Sequence, residues 1–120
     1  MTAQGPQGLE RIINATKFSL KGLSKSFRNE AAFRQELFLI MILLPIGLWL
    51  GETGIEKAVL TVVLIIVLIV ELLNTAIEAA IDRFGGDHHK LSGYAKDAAS
   101  AAVFISLINV LFVWSLILFF

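Results

Sequence analysis

Acidic and amide side chains form a narrow stripe along one predicted helix in the second half of the sequence. The stripe repeats at intervals of three, four and four residues and consists of Glu71, Asn74, Glu78 and Asp82. At 100° per residue these side chains fall within an arc of about 80°. The apolar segment 58–70 continues into the stripe without a proline or glycine. Because a carboxylate at the edge of a bilayer core is costly unless it faces protein, a cation or water, the stripe is a candidate functional site.

Acidic residues at two depths provide the groups needed for phosphoryl transfer to a lipid alcohol. Measured from the predicted outer turn, Glu36 and Glu71 both lie about 22 Å along their helices. Glu30 and Glu78 lie about 10 Å further from that turn. A carboxylate at the lipid boundary can act as general base for a hydroxyl group, and a second carboxylate pair can hold Mg²⁺ together with nucleotide phosphates. Since Lys96 can neutralise phosphate charge, the set suits transfer from a soluble nucleotide to a lipid hydroxyl.

The composition requires that these groups be positioned by membrane helices. Of the 120 residues, 57% are hydrophobic and 17% are charged, against a charged fraction of about 25% in soluble domains. A span needs about 20 residues, so the chain is long enough for three. The absence of cysteine excludes disulfides and thiolate chemistry. We predict an all-α integral membrane fold in one domain (1–120), with an amphipathic surface helix at 9–28 and membrane helices at 30–50, 55–83 and 92–119.

The N-terminal helix combines an apolar stripe with a basic face. Apolar residues recur on one side, while the opposite side carries Lys17, Lys21, Lys25 and Arg28. Such a helix can lie among lipid headgroups, where each cation contributes about 1 kcal/mol of attraction to anionic lipid, or it can pack on the rest of the protein. The excess of basic residues before the first apolar segment places the N-terminus in the cytosol by the positive-inside rule.

Sequence signals near two helix starts predict an ion pair and an N-cap, and the small number of helices predicts an oligomer. Glu30 and Arg34 are spaced as an i, i+4 ion pair on a helix. Ser92 is the expected N-cap of the last helix. Three helices enclose little space for inward-facing polar groups, so a homo-oligomeric bundle is expected.

Three segments together resemble the prokaryotic diacylglycerol kinase family. They read NEAAFRQE at 29–36, ELLNTAIEAAIDR at 71–83 and LSGYAKDAASAAV at 91–103. The resemblance implies a homotrimer of three-span protomers in the bacterial inner membrane, with no nucleic acid as partner. It further implies an enzyme that uses ATP and Mg²⁺ to phosphorylate diacylglycerol to phosphatidic acid.

The resemblance also implies roles for individual positions. Glu71 matches the general base, Glu30 and Glu78 match the metal ligands, and the other catalytic positions are Asn74, Lys96 and Asp97. Positions matched to ATP binding are Arg11, Ser19, Glu30, Glu78, Asp82, His89, Lys96 and Asp97. Positions matched to lipid-substrate binding are Arg11, Ala15, Arg34, Gln35, Glu36, Glu71 and Ser100. Asn14 and Tyr94 depart from the family, whose best-known members carry lysine and arginine there.

Other interpretations of the acidic stripe remain open. The stripe could simply face cytosolic water as the helix leaves the membrane, which suits Asp82 better than Glu71. A relative that phosphorylates undecaprenol would share much of the second and third segments. A small oligomeric transporter could use Glu71 as a proton or cation site, although polar residues do not continue through 59–70. A membrane-surface scaffold built on the basic helix would not need Glu71 at all.

Overall fold

The structure, a computed structural model, describes residues 7–84 and 89–120, which form four helices. These helices are α1 (Leu9–Asn29), α2 (Ala31–Leu50), α3 (Gly54–Asp82) and α4 (Lys90–Phe119). Helices α2, α3 and α4 are each long and apolar enough to cross a membrane. The predicted all-α fold, with three membrane helices and a separate N-terminal amphipathic helix, is confirmed.

Helix α3 is the central helix of the bundle and packs against both α2 and α4. Its buried side chains lie along one helical stripe, which we call the α3 seam and which comprises Leu60, Val63, Leu64, Val67 and Glu71. Ile40 of α2 packs on the seam, with Val110 and Trp114 of α4 beside it. The seam is apolar except at Glu71, so the packing that joins the helices also places one carboxyl group in the interior.

Helix α1 extends away from the bundle. The molecule measures 47 by 42 by 25 Å. Packed helices of about 10 Å diameter explain a width of about 25 Å but not one of 42 Å, so α1 must account for the larger width. The apolar side of α1 is open: Leu9 is 72% exposed and Leu20 is 61% exposed. The protein therefore leaves this apolar face available to another surface.

The corner between α1 and α2 lies at Glu30, which has extended backbone angles (φ −115°, ψ 108°). Glu30 is the N-cap of α2, and within the described range 7–84 its side chain forms no ion pair with Arg34, so the predicted i, i+4 pair is wrong. The Arg34 guanidinium instead turns back across the corner and donates hydrogen bonds to the backbone carbonyls of Phe27 (2.7 Å) and Arg28 (3.0 Å).

Side chains cap the first turns of α3 and α4. The Thr53 hydroxyl accepts a hydrogen bond from the Glu56 N–H at 3.1 Å, as expected for an N-cap. The N-cap of α4 is His89, whose Nδ1 accepts from the Leu91 N–H at 3.0 Å. The expected N-cap at Ser92 is wrong because α4 begins at Lys90, which places Ser92 inside the first turn.

A contact among all three membrane helices lies at the end of the bundle opposite the corner. The Trp114 indole N–H donates a hydrogen bond to the Leu60 carbonyl at 3.0 Å. Gly47 of α2 lies against both partners, and a Cβ atom added there would be 3.3 Å from the Trp114 ring. The missing side chain at Gly47 therefore lets α2 approach α3 and α4 closely.

Replacing Trp114 by phenylalanine should destabilise the bundle by about 1 kcal/mol, a typical value for a hydrogen bond between membrane helices. The change removes the indole donor but keeps an aromatic ring against Gly47. Reversible unfolding in a denaturing detergent would measure the loss. Trp49→Phe is the matched control because Trp49 is 81% exposed. An equal effect of the two substitutions would contradict a specific contribution of the Trp114 hydrogen bond.

Candidate active site

Glu71 is the most deeply buried acidic residue within the part of the chain that the structure describes, at 4% exposure. It continues the α3 seam one helical turn beyond Val67. Its carboxyl group lies close to that of Glu36 on α2. The Oε2 atom of Glu36 is buried and receives no hydrogen bond. Two carboxyl groups from different helices therefore meet in the interior of the bundle.

Two further carboxylates lie near this pair. Those of Glu78 and Glu30 are close enough to repel the charge of Glu71. The Asn74 side-chain amide donates a hydrogen bond to Oε1 of Glu78 at 3.1 Å, and Asn74 Oδ1 is buried without a donor. Four carboxyl groups and an amide oxygen thus converge at the end of the bundle that holds the α1–α2 corner.

This cluster suits a hard cation that also binds another ligand. Within residues 7–84 and 89–120, no three acidic or histidine side chains are arranged to hold a metal by themselves. Mg²⁺ typically needs only one or two protein carboxylates, and phosphate and water complete its shell. The negative charge of the four carboxyl groups and the buried oxygens without donors therefore fit a Mg²⁺ ion that binds together with a phosphate compound.

Lys96 of α4 lies beside the same end of α3. Its ammonium group forms an ion pair with Asp82 at 2.9 Å, and the two side chains are 43% and 64% exposed. Because solvent screens a pair this exposed, the pair contributes little to stability. The ammonium group can therefore exchange Asp82 for another anion at little cost. The structure does not pair Lys96 with Glu71, so Glu71 is not held by a salt bridge from α4.

An open cavity of about 820 Å³ lies at the beginning of α4. Its lining includes His89, Gly93, Tyr94 and Asp97. Ligand sites for organic molecules typically have volumes of about 300–1,000 Å³. His89 and Asp97, both matched to ATP binding, therefore share one surface, while the neighbouring Lys96 turns toward α3.

Comparison with known proteins assigns this arrangement to a family. Residues 17–118 match the family model described as prokaryotic diacylglycerol kinase. The chain belongs to the prokaryotic diacylglycerol kinase family. This result confirms the resemblance carried by the three sequence segments and, with it, the expected enzyme class.

Curated relatives from three bacteria carry the name diacylglycerol kinase. The protein from Haemophilus influenzae is 51% identical over 94% of this chain and 96% of its own length. The protein from Pseudomonas aeruginosa is 46% identical over 96% of this chain and 94% of its own length. That from Escherichia coli strain K12 is 44% identical over 97% of this chain and 95% of its own length. The similarity therefore extends over almost the whole chain.

Several positions matched to prokaryotic diacylglycerol kinases lie away from Glu71. Arg11 is about 28 Å along α1 from Glu30 at 1.5 Å per residue. Ala15 and Ser19 are also exposed on α1, and the Ser19 hydroxyl donates only to the Ala15 carbonyl, at 2.9 Å. Gln35 and Ser100 are exposed on α2 and α4. The single chain thus gathers the acidic cluster but does not bring these positions to it.

The structure also shows a groove between α1 and α3 that the sequence interpretation missed. It has a volume of about 420 Å³, and its lining includes Gly22, Ser26 and Glu30 on one side and Thr75 and Ala79 on the other. Ser26 is buried there. The signal in the sequence is the spacing of Gly22 and Ser26, which are four residues apart and form a third face of α1, distinct from its apolar and basic faces.

Proposed function

We propose that this member of the prokaryotic diacylglycerol kinase family transfers the γ-phosphoryl group of ATP to the free hydroxyl of diacylglycerol, giving phosphatidic acid and ADP. The observation that carries the proposal is the buried Glu71 carboxyl group, which lies beside three other acidic side chains at one end of three membrane helices. The family and the names of the relatives support the choice of substrates.

Glu71 is proposed as the general base. Its carboxylate accepts the proton of the lipid hydroxyl while that oxygen bonds to the γ-phosphorus and the bond from phosphorus to the ADP oxygen breaks. The site at 4% exposure holds little water, which favours the lipid hydroxyl over water as the nucleophile. The Glu36 carboxyl group, in contact with Glu71, lies where the glycerol end of the lipid would be bound.

Glu30 and Glu78 are proposed to hold Mg²⁺, with Asn74 orienting Glu78 through its hydrogen bond. Bound there together with ATP, Mg²⁺ would neutralise part of the phosphate charge. Lys96 is placed to contact a phosphate oxygen once it leaves Asp82. The cavity beside His89 and Asp97 is the proposed nucleotide surface.

We further propose a homotrimer in the bacterial inner membrane with a cytosolic N-terminus. The polar residues Arg11, Gln35 and Ser100 are exposed in one protomer, and a neighbouring copy could bring them to an acidic cluster. The exposed apolar face of α1 and its basic neighbours fit a location among the headgroups of the cytosolic leaflet. The positive-inside rule supports the same orientation.

Incubation of the purified protein with labelled ATP, Mg²⁺ and a panel of diacylglycerol, undecaprenol and ceramide tests the proposal. We expect phosphatidic acid as the main labelled product, with ADP release that depends on diacylglycerol. Preference for undecaprenol would replace the lipid substrate but keep the chemistry. Solute accumulation in sealed vesicles without consumption of ATP would contradict the kinase and favour a transporter.

A further inference from the structure

The corner between α1 and α2 is closed by a single side chain from the second helix. The last four carbonyls of a helix lack partners within it and need other donors. In α1 the Ser26 carbonyl accepts from the Glu30 N–H at 2.9 Å. The next two carbonyls, of Phe27 and Arg28, both accept from Nη1 of Arg34. Arg34 thus supplies the C-terminal cap of α1 from the first turn of α2.

Glu30 is the residue that this cap encloses. Its N–H is bonded to the last turn of α1, and its carbonyl accepts from the Arg34 N–H at 3.2 Å. Its backbone is extended (φ −115°, ψ 108°) between the two helices, so these two hydrogen bonds and the cap together set the direction in which its side chain leaves the corner. Across the groove from it lie Thr75 and Ala79 of α3, whose small side chains leave the space open. The direction of the Glu30 carboxylate therefore depends on the geometry of the corner.

We propose that Arg34 is a positioning residue: by capping α1 it holds Glu30 in the orientation needed to bind the metal–nucleotide complex. This inference rests on the proposed metal role of Glu30, and it gives Arg34 a role other than contact with the lipid substrate. The guanidinium group suits the task because it is always charged and carries several donors in a fixed plane. Its positive charge also lies at the negative end of the α1 dipole.

Arg34→Met and Arg34→Lys are the informative variants. Methionine keeps the apolar stem but removes every donor, whereas lysine keeps the charge on a side chain that is one atom shorter and lacks the planar guanidinium. Arg28→Met is the matched control: Arg28 is an arginine of the same corner, and its Nε donates only within α1, to the Ser24 carbonyl at 3.4 Å. A general effect of lost positive charge would appear in the control as well.

Two measurements separate positioning from the alternatives. Hydrogen exchange of the amides at 26–30, without nucleotide, reports the cap directly and should be clearly faster in Arg34→Met. Binding of Mn²⁺ with a non-hydrolysable ATP analogue, followed by electron paramagnetic resonance, should weaken by about 10-fold or more, as is typical when a residue that orients a metal ligand is lost. Arg34→Lys should fall between wild type and Arg34→Met, and Arg28→Met should stay near wild type.

Kinetic constants complete the test. We expect the half-saturating Mg²⁺ concentration to rise with the Mn²⁺ dissociation constant, while the KM for diacylglycerol changes by less than about twofold. A raised lipid KM with unchanged metal binding would make Arg34 a substrate ligand and overturn the proposal. Faster hydrogen exchange with unchanged metal affinity would show that Arg34 is only a structural cap, and this result would also overturn the proposal. Failure of the wild type to phosphorylate lipid would refute the proposed function but leave the exchange and Mn²⁺ measurements decisive for Arg34.

Discussion

Replacing Glu71 by glutamine is expected to lower kcat for lipid phosphorylation by about 10²–10⁴-fold, the usual contribution of a general base. Glutamine has nearly the same shape, so the α3 seam can still pack. Its amide can donate a hydrogen bond to the Glu36 carboxylate, but it cannot accept the proton of the lipid hydroxyl. Stability should be kept or increased, because the substitution removes a carboxyl group that is buried among carboxyl groups.

Thermal stability and turnover measured on one preparation distinguish a base from a structural residue. The KM for MgATP should change little, since Glu71 is not proposed to touch the nucleotide. Glu52→Gln is the control, because Glu52 is an exposed residue in the connection between α2 and α3. Near-normal turnover by folded Glu71→Gln would refute its assignment as the base. Lower stability with normal turnover per folded molecule would show a purely structural role.

Removing either proposed metal ligand is expected to raise the Mg²⁺ requirement by at least about 10-fold, since Mg²⁺ tolerates little change in its ligand geometry. Both Glu30→Ala and Glu78→Ala should regain part of their activity at high Mg²⁺. The two variants should differ in stability. Glu78→Ala leaves the partly buried Asn74 amide without its acceptor, a loss of about 1–3 kcal/mol, whereas Glu30 accepts no such bond among the described residues.

Titration of initial rates with Mg²⁺ at fixed ATP, together with detergent unfolding, tests both statements. Glu10→Ala is the control for loss of a negative charge, because Glu10 lies in the first turn of α1, far along the helix from the corner. A wild-type Mg²⁺ dependence in Glu30→Ala and Glu78→Ala would remove the metal assignment. Equal stabilities of these two variants would contradict a stabilising role of the hydrogen bond from Asn74 to Glu78.

The membrane helices and the shared depth of Glu36 and Glu71 could be anticipated from simple rules. Apolar segments of sufficient length predict spans, and equal helix lengths from the outer turn predict equal depth for the two carboxyl groups. Both rules depend on the long-range geometry of straight helices and not on local detail. Equal depth permits the contact between Glu36 and Glu71 but does not by itself predict it.

Local geometry at the helix ends was less predictable. Neither proline nor glycine marks the corner at Glu30, so the predicted break fell one residue early and made Glu30 the first residue of the membrane helix, with Arg34 as its ion-pair partner. The tertiary contact of Arg34 with the α1 carbonyls decides otherwise. At α4, the sequence predicted a cap at Ser92, whereas the helix begins two residues earlier, at Lys90, and is capped by His89. Ser100 is exposed on α4, and its proposed approach to an acidic cluster of a neighbouring copy is a matter of assembly that one sequence does not describe.

The α3 seam has a mechanical consequence for the proposed chemistry. Leu64 and Val67 occupy the two turns that precede Glu71 on the same face of the helix, so the carboxyl group is the terminal member of a close-packed row. Close-packed protein interiors resist compression and transmit small displacements. Adding or deleting one methylene at Val67 would therefore change the aim of the carboxylate as well as the stability of the bundle. Apolar positions with no chemistry of their own thus become determinants of rate, and ranking their variants by stability alone would misjudge them.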